Sequence, residues 1–161
     1  MTIAEYNQAV ELYADGLYRF VLQSLSDKEG SRDIVQESFE KLWVRRKEVD
    51  GAKCKSYLFT TAHHTLIDRL RKGKRETITE RGRLPEPTIE QGYSDLKEIL
   101  NEAVEKLPEI QRSVVLLRDY EGYSYQEIGE ITGLTESQVK VYIYRARLFL
   151  KAYIGQIDSV I

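Results

Sequence analysis

Lys140, Arg145, Arg147 and Lys151 crowd into one stretch of the chain, and no acid occurs between Glu136 and Asp158 to offset them. Groups of this kind recognise anions and hydrogen-bond acceptors. Their ammonium and guanidinium protons pair with phosphate oxygens and with acceptors on base edges. Ser137, Gln138, Val141 and Tyr144 are interleaved with them and add polar and apolar surface. To act on one ligand, these side chains must project from a single rigid element.

The surrounding sequence builds that element. Val139, Ile143, Ala146 and Leu150 recur at spacings of four, three and four, which predicts a helix with one buried stripe. Thr135 with Gln138 reads as a T-x-x-Q capping box at its start. Ser124 with Glu127 reads as an S-x-x-E box opening a shorter helix before it. Gly133 stands where the first helix must stop in left-handed backbone. Gly129 lacks a side chain, so a second helix is expected to cross closely above it. Two capped helices joined by a tight turn predict a helix-turn-helix, with the second helix placed for the major groove.

Composition sets the wider bounds. A chain of 161 residues is one large domain or two small ones. Hydrophobic residues make up 42% and charged ones 31%, which fits a soluble helical protein. No apolar run is long enough to span a bilayer, and Met1 to Val10 lacks the basic start and apolar core of a signal peptide. Direct membrane insertion is therefore not expected. A single cysteine, Cys54, forms no internal disulfide and fits a cytoplasmic location.

The formal net charge of −2 argues against general stickiness to nucleic acid, but its distribution is uneven. Arg69, Arg71, Lys72, Lys74 and Arg75 face only Asp68 within residues 65–75, a balance of +4. Residues 76–110 hold nine acids and four bases, a balance of −5. Positive charge gathers at two places, with an acidic segment between them.

The predicted architecture is all-α: two small helical domains joined by a flexible linker. Pro85 and Pro87 interrupt a stretch without helical period, so residues 76–94 read as the linker between a unit over 1–75 and one over 95–155. In the first unit, Thr2 and Glu5 make a T-x-x-E box ahead of a stripe of Ile3, Tyr6, Val10, Leu17, Val21 and Leu25, with a kink expected at Asp15-Gly16. A helix over Ser31 to Arg46 turns Ile34, Val35, Phe39, Leu42 and Trp43 inward. Another over Lys55 to Lys72 buries Leu58, Phe59, Ala62, Leu66, Ile67 and Leu70. In the second unit, Leu96 to Leu107 and Glu109 to Tyr120 flank Pro108, which fits the first turn of the later helix. Neither unit has a large core of its own, so the linker is expected to leave them mobile relative to each other.

Asp33, Gln36, Glu37 and Glu40 lie along one helical stripe, which suits a charged protein partner and cannot itself attract DNA. His63 and His64 invite a metal, but adjacent helical side chains point about 100° apart and no thiol or carboxylate cluster surrounds them. No phosphate loop, nucleophile elbow, HExxH or paired carboxylates occur in a recognisable setting. Neither a metal, nor a cofactor, nor enzyme activity is expected.

Three segments occur in a fixed order. Asp33-Ile-Val-Gln-Glu-Ser-Phe39 continues to Lys41-Leu-Trp43; Ser56 to Arg71 follows with its basic tail; Leu107-Pro108 leads through Arg112 to the helix-turn-helix. The combination resembles the extracytoplasmic-function (ECF) sigma factors, minimal sigma-70-type subunits of bacterial RNA polymerase, from about Tyr6 to Tyr153. The resemblance implies a region 2 helical bundle in 1–75 and a region 4 helix-turn-helix in 95–155. It implies core RNA polymerase and promoter DNA as partners, and an anti-sigma factor as a third.

The resemblance also assigns the residues. Asp33, Gln36 and Glu37 match polar positions that dock on the coiled coil of the largest polymerase subunit, and Glu40 extends their stripe. The loop from Arg45 to Lys55 and the helix after it match the pocket for a flipped base of the −10 element. Lys53, Lys55, Tyr57, Thr60, Thr61 and His64 would supply its stacking surface, polar groups and cations. Thr60 and His64 stand where relatives commonly carry arginine and asparagine. Arg69, Arg71 and Lys72 would lie against phosphates. Ser137, Gln138, Lys140, Val141, Tyr144, Arg145 and Arg147 would face the −35 element, with Val141 and Tyr144 better suited to thymine methyls than to guanine edges. Two alternatives are a stand-alone helix-turn-helix regulator, which leaves the Asp33–Glu40 stripe unexplained, and a helical protein-binding adaptor, which leaves both basic patches idle.

Overall fold

The computed structural model describes residues 1–77 and 94–158, with side chains over 1–73 and 96–156. The side chains of Lys74, Arg75 and the expected linker lie outside that range. Seven α-helices account for the described residues: α1 (Ile3–Leu25), α2 (Lys28–Val44), α3 (Cys54–Thr77), α4 (Ser94–Glu105), α5 (Glu109–Val115), α6 (Tyr125–Thr132) and α7 (Glu136–Asp158). A single 3-10 turn, Gly51–Lys53, leads into α3. No strand occurs among the described residues, as the sequence predicts.

Local signals in the sequence set several of the helix ends. The Thr2 hydroxyl accepts from the Glu5 amide at 3.1 Å and opens α1. Both helix-turn-helix boxes form: the Glu127 amide donates to Ser124 Oγ at 3.1 Å and the Gln138 amide to Thr135 Oγ1 at 3.2 Å. Each cap amide is answered by the Glu127 or Gln138 side chain. Gly133 ends α6 with φ of 79°, the left-handed backbone that glycine adopts without strain. Pro108 sits at the N-cap of α5 rather than inside its first turn. Arg112 is buried beneath it and donates to the Glu105 carbonyl at 3.2 Å, so the L-P-x-x-x-R pattern ties α5 to the end of α4.

Several boundaries differ from the periodicity reading. Helix α2 starts at Lys28, not Ser31, because Ser31 is buried and its hydroxyl bonds back to the Asp27 carbonyl. The segment read as one helix to Tyr120 widens after Val115 into a π-helical turn over Leu116–Tyr120. Helix α1 runs unbroken through Asp15-Gly16, where a kink was expected. What crosses Gly129 is not a helix but the turn itself. A Cβ there would stand 2.8 Å from the Leu134 carbonyl oxygen. Gly129→Ala is therefore expected to lower stability by about 1–3 kcal/mol despite alanine's better helix propensity, read as a lower urea midpoint with unchanged slope.

The two units do not stand apart. Leu17, Phe20, Leu58, Phe59 and Leu66 of the first unit share one continuous core with Leu116, Leu117, Tyr123 and Ile128 of the second. The Phe59 and Tyr123 rings meet edge to face with centroids 5.0 Å apart. Fully burying side chains of this size contributes about 1.5–3 kcal/mol each, so the joint core stabilises an arrangement that separate small cores would not. The expected mobility between units gives way to a packed interface of α3 against α6 and α1 against α4.

Candidate polymerase and nucleic-acid surfaces

Helix α2 turns Ile34, Phe39 and Leu42 into the core and leaves Asp33, Gln36 and Glu40 exposed on the other side, with Glu37 half-buried beside them. Gln36 Nε2 donates to Glu40 at 3.2 Å and Glu37 pairs with Lys41 at 3.1 Å, both within the stripe. Trp43, read as inward, is 38% exposed, and Val44 next to it is 79% exposed. Tyr6 packs edge-on against Trp43 with centroids 4.9 Å apart and lines a shallow groove with Glu40, Trp43 and Val44. An apolar step thus adjoins the acidic stripe. Helical period puts Trp43 on the apolar stripe, but Tyr6 of α1 covers it only in part.

The second surface is a cleft of about 790 Å³ on one side of α3. It gathers Lys53, Lys55, Tyr57, Thr60 and Thr61, five of the six residues predicted for a flipped base, beside Glu48 and Asp50 of the preceding loop. Asp50 holds that loop by accepting from the Ala52 amide at 3.2 Å. His64 falls outside the cleft and lines a neighbouring one with His63, Asp68, Arg71 and Glu109. Arg71 and Lys72 are exposed. Arg69 is half-buried, and its guanidinium donates to the Gly30 carbonyl at 3.2 Å, tying α3 to the start of α2.

Sequence gave no warning of two further residues in the large cleft. Glu127 and Glu130 of α6 line it from the opposite side, and Lys55 Nζ donates to Glu127 at 3.2 Å while standing 3.9 Å from the centre of the Tyr123 ring.

The third surface is the outer face of α7. Ser137, Lys140, Val141, Tyr144 and Arg145 are all exposed, Tyr144 at 65%. Gln138 is exposed too, but its Oε1 is held by the Thr135 amide in the capping box. Arg147 is held by both carboxylate oxygens of Asp119, its Nε at 3.1 Å from one of them, so its fork is already engaged.

His63 has a structural task. It is 5% exposed, stacks on Phe20 with centroids 6.5 Å apart, and neither ring nitrogen has a partner among the described residues. Burial, and then the nearby His64, pull its pKa down to about 4. The unfolded chain titrates near the usual value of about 6.5, so protonation favours unfolding. The neutral ring's contribution is complete above about pH 6.5 and lost as pH falls toward 4, by up to about 3 kcal/mol. His63→Leu is expected to flatten that part of the stability-against-pH curve measured by urea unfolding. No cluster of three or more His, Cys, Asp or Glu side chains forms among the described residues, and no described helix is long and apolar enough to cross a membrane.

A helical bundle with an acidic, apolar-edged helix, joined to a helix-turn-helix with a bare basic face, defines a class of protein that meets both a protein and a nucleic acid. Comparison with known proteins narrows it. Residues 9–76 match sigma-70 region 2 and residues 97–150 match sigma-70 region 4. The chain is 32% identical over 157 residues to the ECF RNA polymerase sigma factor SigM of Bacillus subtilis (strain 168), covering 94% of each chain. It is 30% identical over 148 residues to RNA polymerase sigma factor YlaC of the same organism, covering 86% of each. The fold is similar to that of the sigma factor RpoE from Bartonella quintana, solved with the anti-sigma factor NepR, at a TM-score of 0.78 and 23% identity over 95% of this chain and 98% of that one. It is also similar to CnrH in complex with the cytosolic domain of CnrY, at a TM-score of 0.71 and 21% identity over 94% and 88%. The chain belongs to the extracytoplasmic-function sigma factors, alternative sigma subunits of RNA polymerase within the sigma-70 family.

Proposed function

We propose that residues 1–75 and 95–155 act as separate recognition units on either side of a linker over 76–94, and that each named surface has its own partner. The α2 stripe of Asp33, Gln36, Glu37 and Glu40 docks on core RNA polymerase, with Tyr6, Trp43 and Val44 extending the contact as apolar anchors. The Lys53–Thr61 cleft takes an unpaired base of the −10 element: Tyr57 offers a stacking face, Thr60 and Thr61 offer hydroxyls, and the two lysines meet the backbone. Arg71 and Lys72 lie along phosphates, and His64 flanks the same strand. The outer face of α7 reads the −35 element through Ser137, Lys140, Val141, Tyr144 and Arg145, while Gln138 and Arg147 hold the helix in place at its start and flank. The protein does no chemistry of its own and works in the cytoplasm, where an anti-sigma factor restrains it, as NepR and the cytosolic domain of CnrY accompany their own sigma factors.

The observation that carries this reading is that five residues assigned to one base meet in one cleft. Each unit alone neutralises only a few phosphates, which gives weak, non-specific affinity of roughly 10⁻⁴ to 10⁻⁶ M. Gel-shift titration of promoter DNA is expected to show that range for the free chain, and sequence-specific binding once core polymerase is added. Sub-micromolar specific binding by the free chain at physiological salt would instead favour a stand-alone regulator.

A further inference from the structure

Tyr125 is the first residue of α6, directly after the cap residue Ser124, whose box with Glu127 fixes the backbone there. Its ring is half-buried against the core, yet it meets two cations. The Arg118 guanidinium stands 4.4 Å from the ring centre and Lys140 Nζ 5.5 Å from it. Both fall within the roughly 6 Å over which the negative face of an aromatic ring attracts a cation. Arg118 belongs to the π-helical turn and is itself fixed, because its Nη1 donates to the Tyr123 carbonyl at 2.9 Å. Asp119, the next residue of that turn, takes Arg147 of α7. Arg147 lies about two helical turns beyond Lys140. The π-helical turn thus steadies α7 at Arg147, while the ring at the start of α6 meets it at Lys140.

A lysine on an exposed helix face is a poor reader of bases when left alone. Its stem is flexible, and ordering it on binding costs affinity. A ring beside the ammonium removes part of that cost before DNA arrives. A carboxylate partner would order the stem too, but it would neutralise the charge that DNA needs. The ammonium has three donors, so a ring at its side leaves donors for acceptors on a base edge. We propose that Tyr125 is a positioning residue for −35 recognition, which holds the Lys140 ammonium ready for the major groove and sharpens the base preference that Lys140 confers. The proposal deepens the reading of α7 given above and rests on it.

Holoenzyme assembled from core polymerase and the full chain tests it, on duplexes that vary one −35 position at a time and share one −10 element. Tyr125→Phe keeps the ring, and Tyr125→Leu keeps apolar bulk without a ring; neither alters charge. A third chain carries a trifluorinated phenylalanine in place of Tyr125, which keeps the ring's shape and weakens its negative face. The leucine and fluorinated chains are expected to lose about two- to fivefold of the base preference at the position where Lys140→Ala loses its own, and none elsewhere. Tyr125→Phe is expected to rank the duplexes as wild type does. Adding Tyr125→Leu to Lys140→Ala should bring no further loss at that position, a coupling that a general loosening of α6 would not produce. Because leucine also changes packing, the comparison of the fluorinated chain with Tyr125→Phe decides. If Lys140→Ala reorders the duplexes and the fluorinated chain ranks them as Tyr125→Phe does, the positioning role is wrong and the reading of α7 stands. If Lys140→Ala reorders nothing, that part of the reading of α7 falls and the positioning role with it.

Discussion

Asp33→Lys combined with Glu37→Lys is expected to remove the chain from core RNA polymerase, with at least a thousandfold loss of affinity in pull-down titration. Asp33 is exposed and Glu37 pairs only with its own neighbour Lys41 one turn on, so neither holds the fold together. Charge reversal inverts the stripe and sets it against the cations it would meet. Breaking a hydrogen-bonded charge pair at an interface costs about 2–5 kcal/mol, so two together reach or exceed the roughly 4 kcal/mol that a thousandfold represents. Thermal unfolding should be unchanged. Val44→Ser, at the exposed apolar edge, should weaken the same complex less and without changing its salt dependence. Undiminished binding of the double variant would remove α2 from the docking surface.

The second large effect concerns promoter choice. Lys140 and Arg145 are exposed cations among the base-reading candidates of α7 that no described carboxylate engages within the fold; Lys140 stands 5.5 Å from the Tyr125 ring centre and Arg145 is 5.9 Å from that of Tyr142. Replacing either with alanine is expected to reorder affinities within a set of −35 variants by about 1–3 kcal/mol at the base each one reads. Arg71→Ala with Lys72→Ala should instead weaken every variant about equally and reduce the salt slope, because phosphate contacts carry no sequence. An identical ranking for wild type and both α7 variants would show that the helix does not read bases.

Where sequence and structure agree, the signal is local. A capping box spans four residues and Gly133 acts on its own φ, so the helix-turn-helix follows from nearest neighbours. The acidic stripe of α2 and the members of the α3 cleft are likewise set by position along one helix or one loop. What the sequence hides is long-range. Arg19 pairs with a residue 102 positions away and Lys55 with one 72 away, and neither pairing leaves a periodic trace. Apolar period names a face but not what covers it. Trp43 therefore looks internal and is not, whereas Tyr123, just ahead of a capping box, is buried between units. Gly16 reads as a break, but a Cβ there would stand 3.0 Å from Glu121 Oε2 of the other unit. The bond from Arg69 to Gly30, on another helix, leaves no such trace either.

The most direct test of the central claim is run-off transcription with purified core polymerase on a pooled library of randomised promoter fragments, with sequencing of the 5′ ends. Core polymerase alone should give no defined starts. With this chain added, starts are expected to cluster downstream of one shared pair of elements at fixed spacing. The −35 element should change its preference with Lys140→Ala, and the −10 element should lose its effect with Tyr57→Ala. Defined transcripts that do not depend on the added chain, or none from any template when it binds polymerase, would contradict the account.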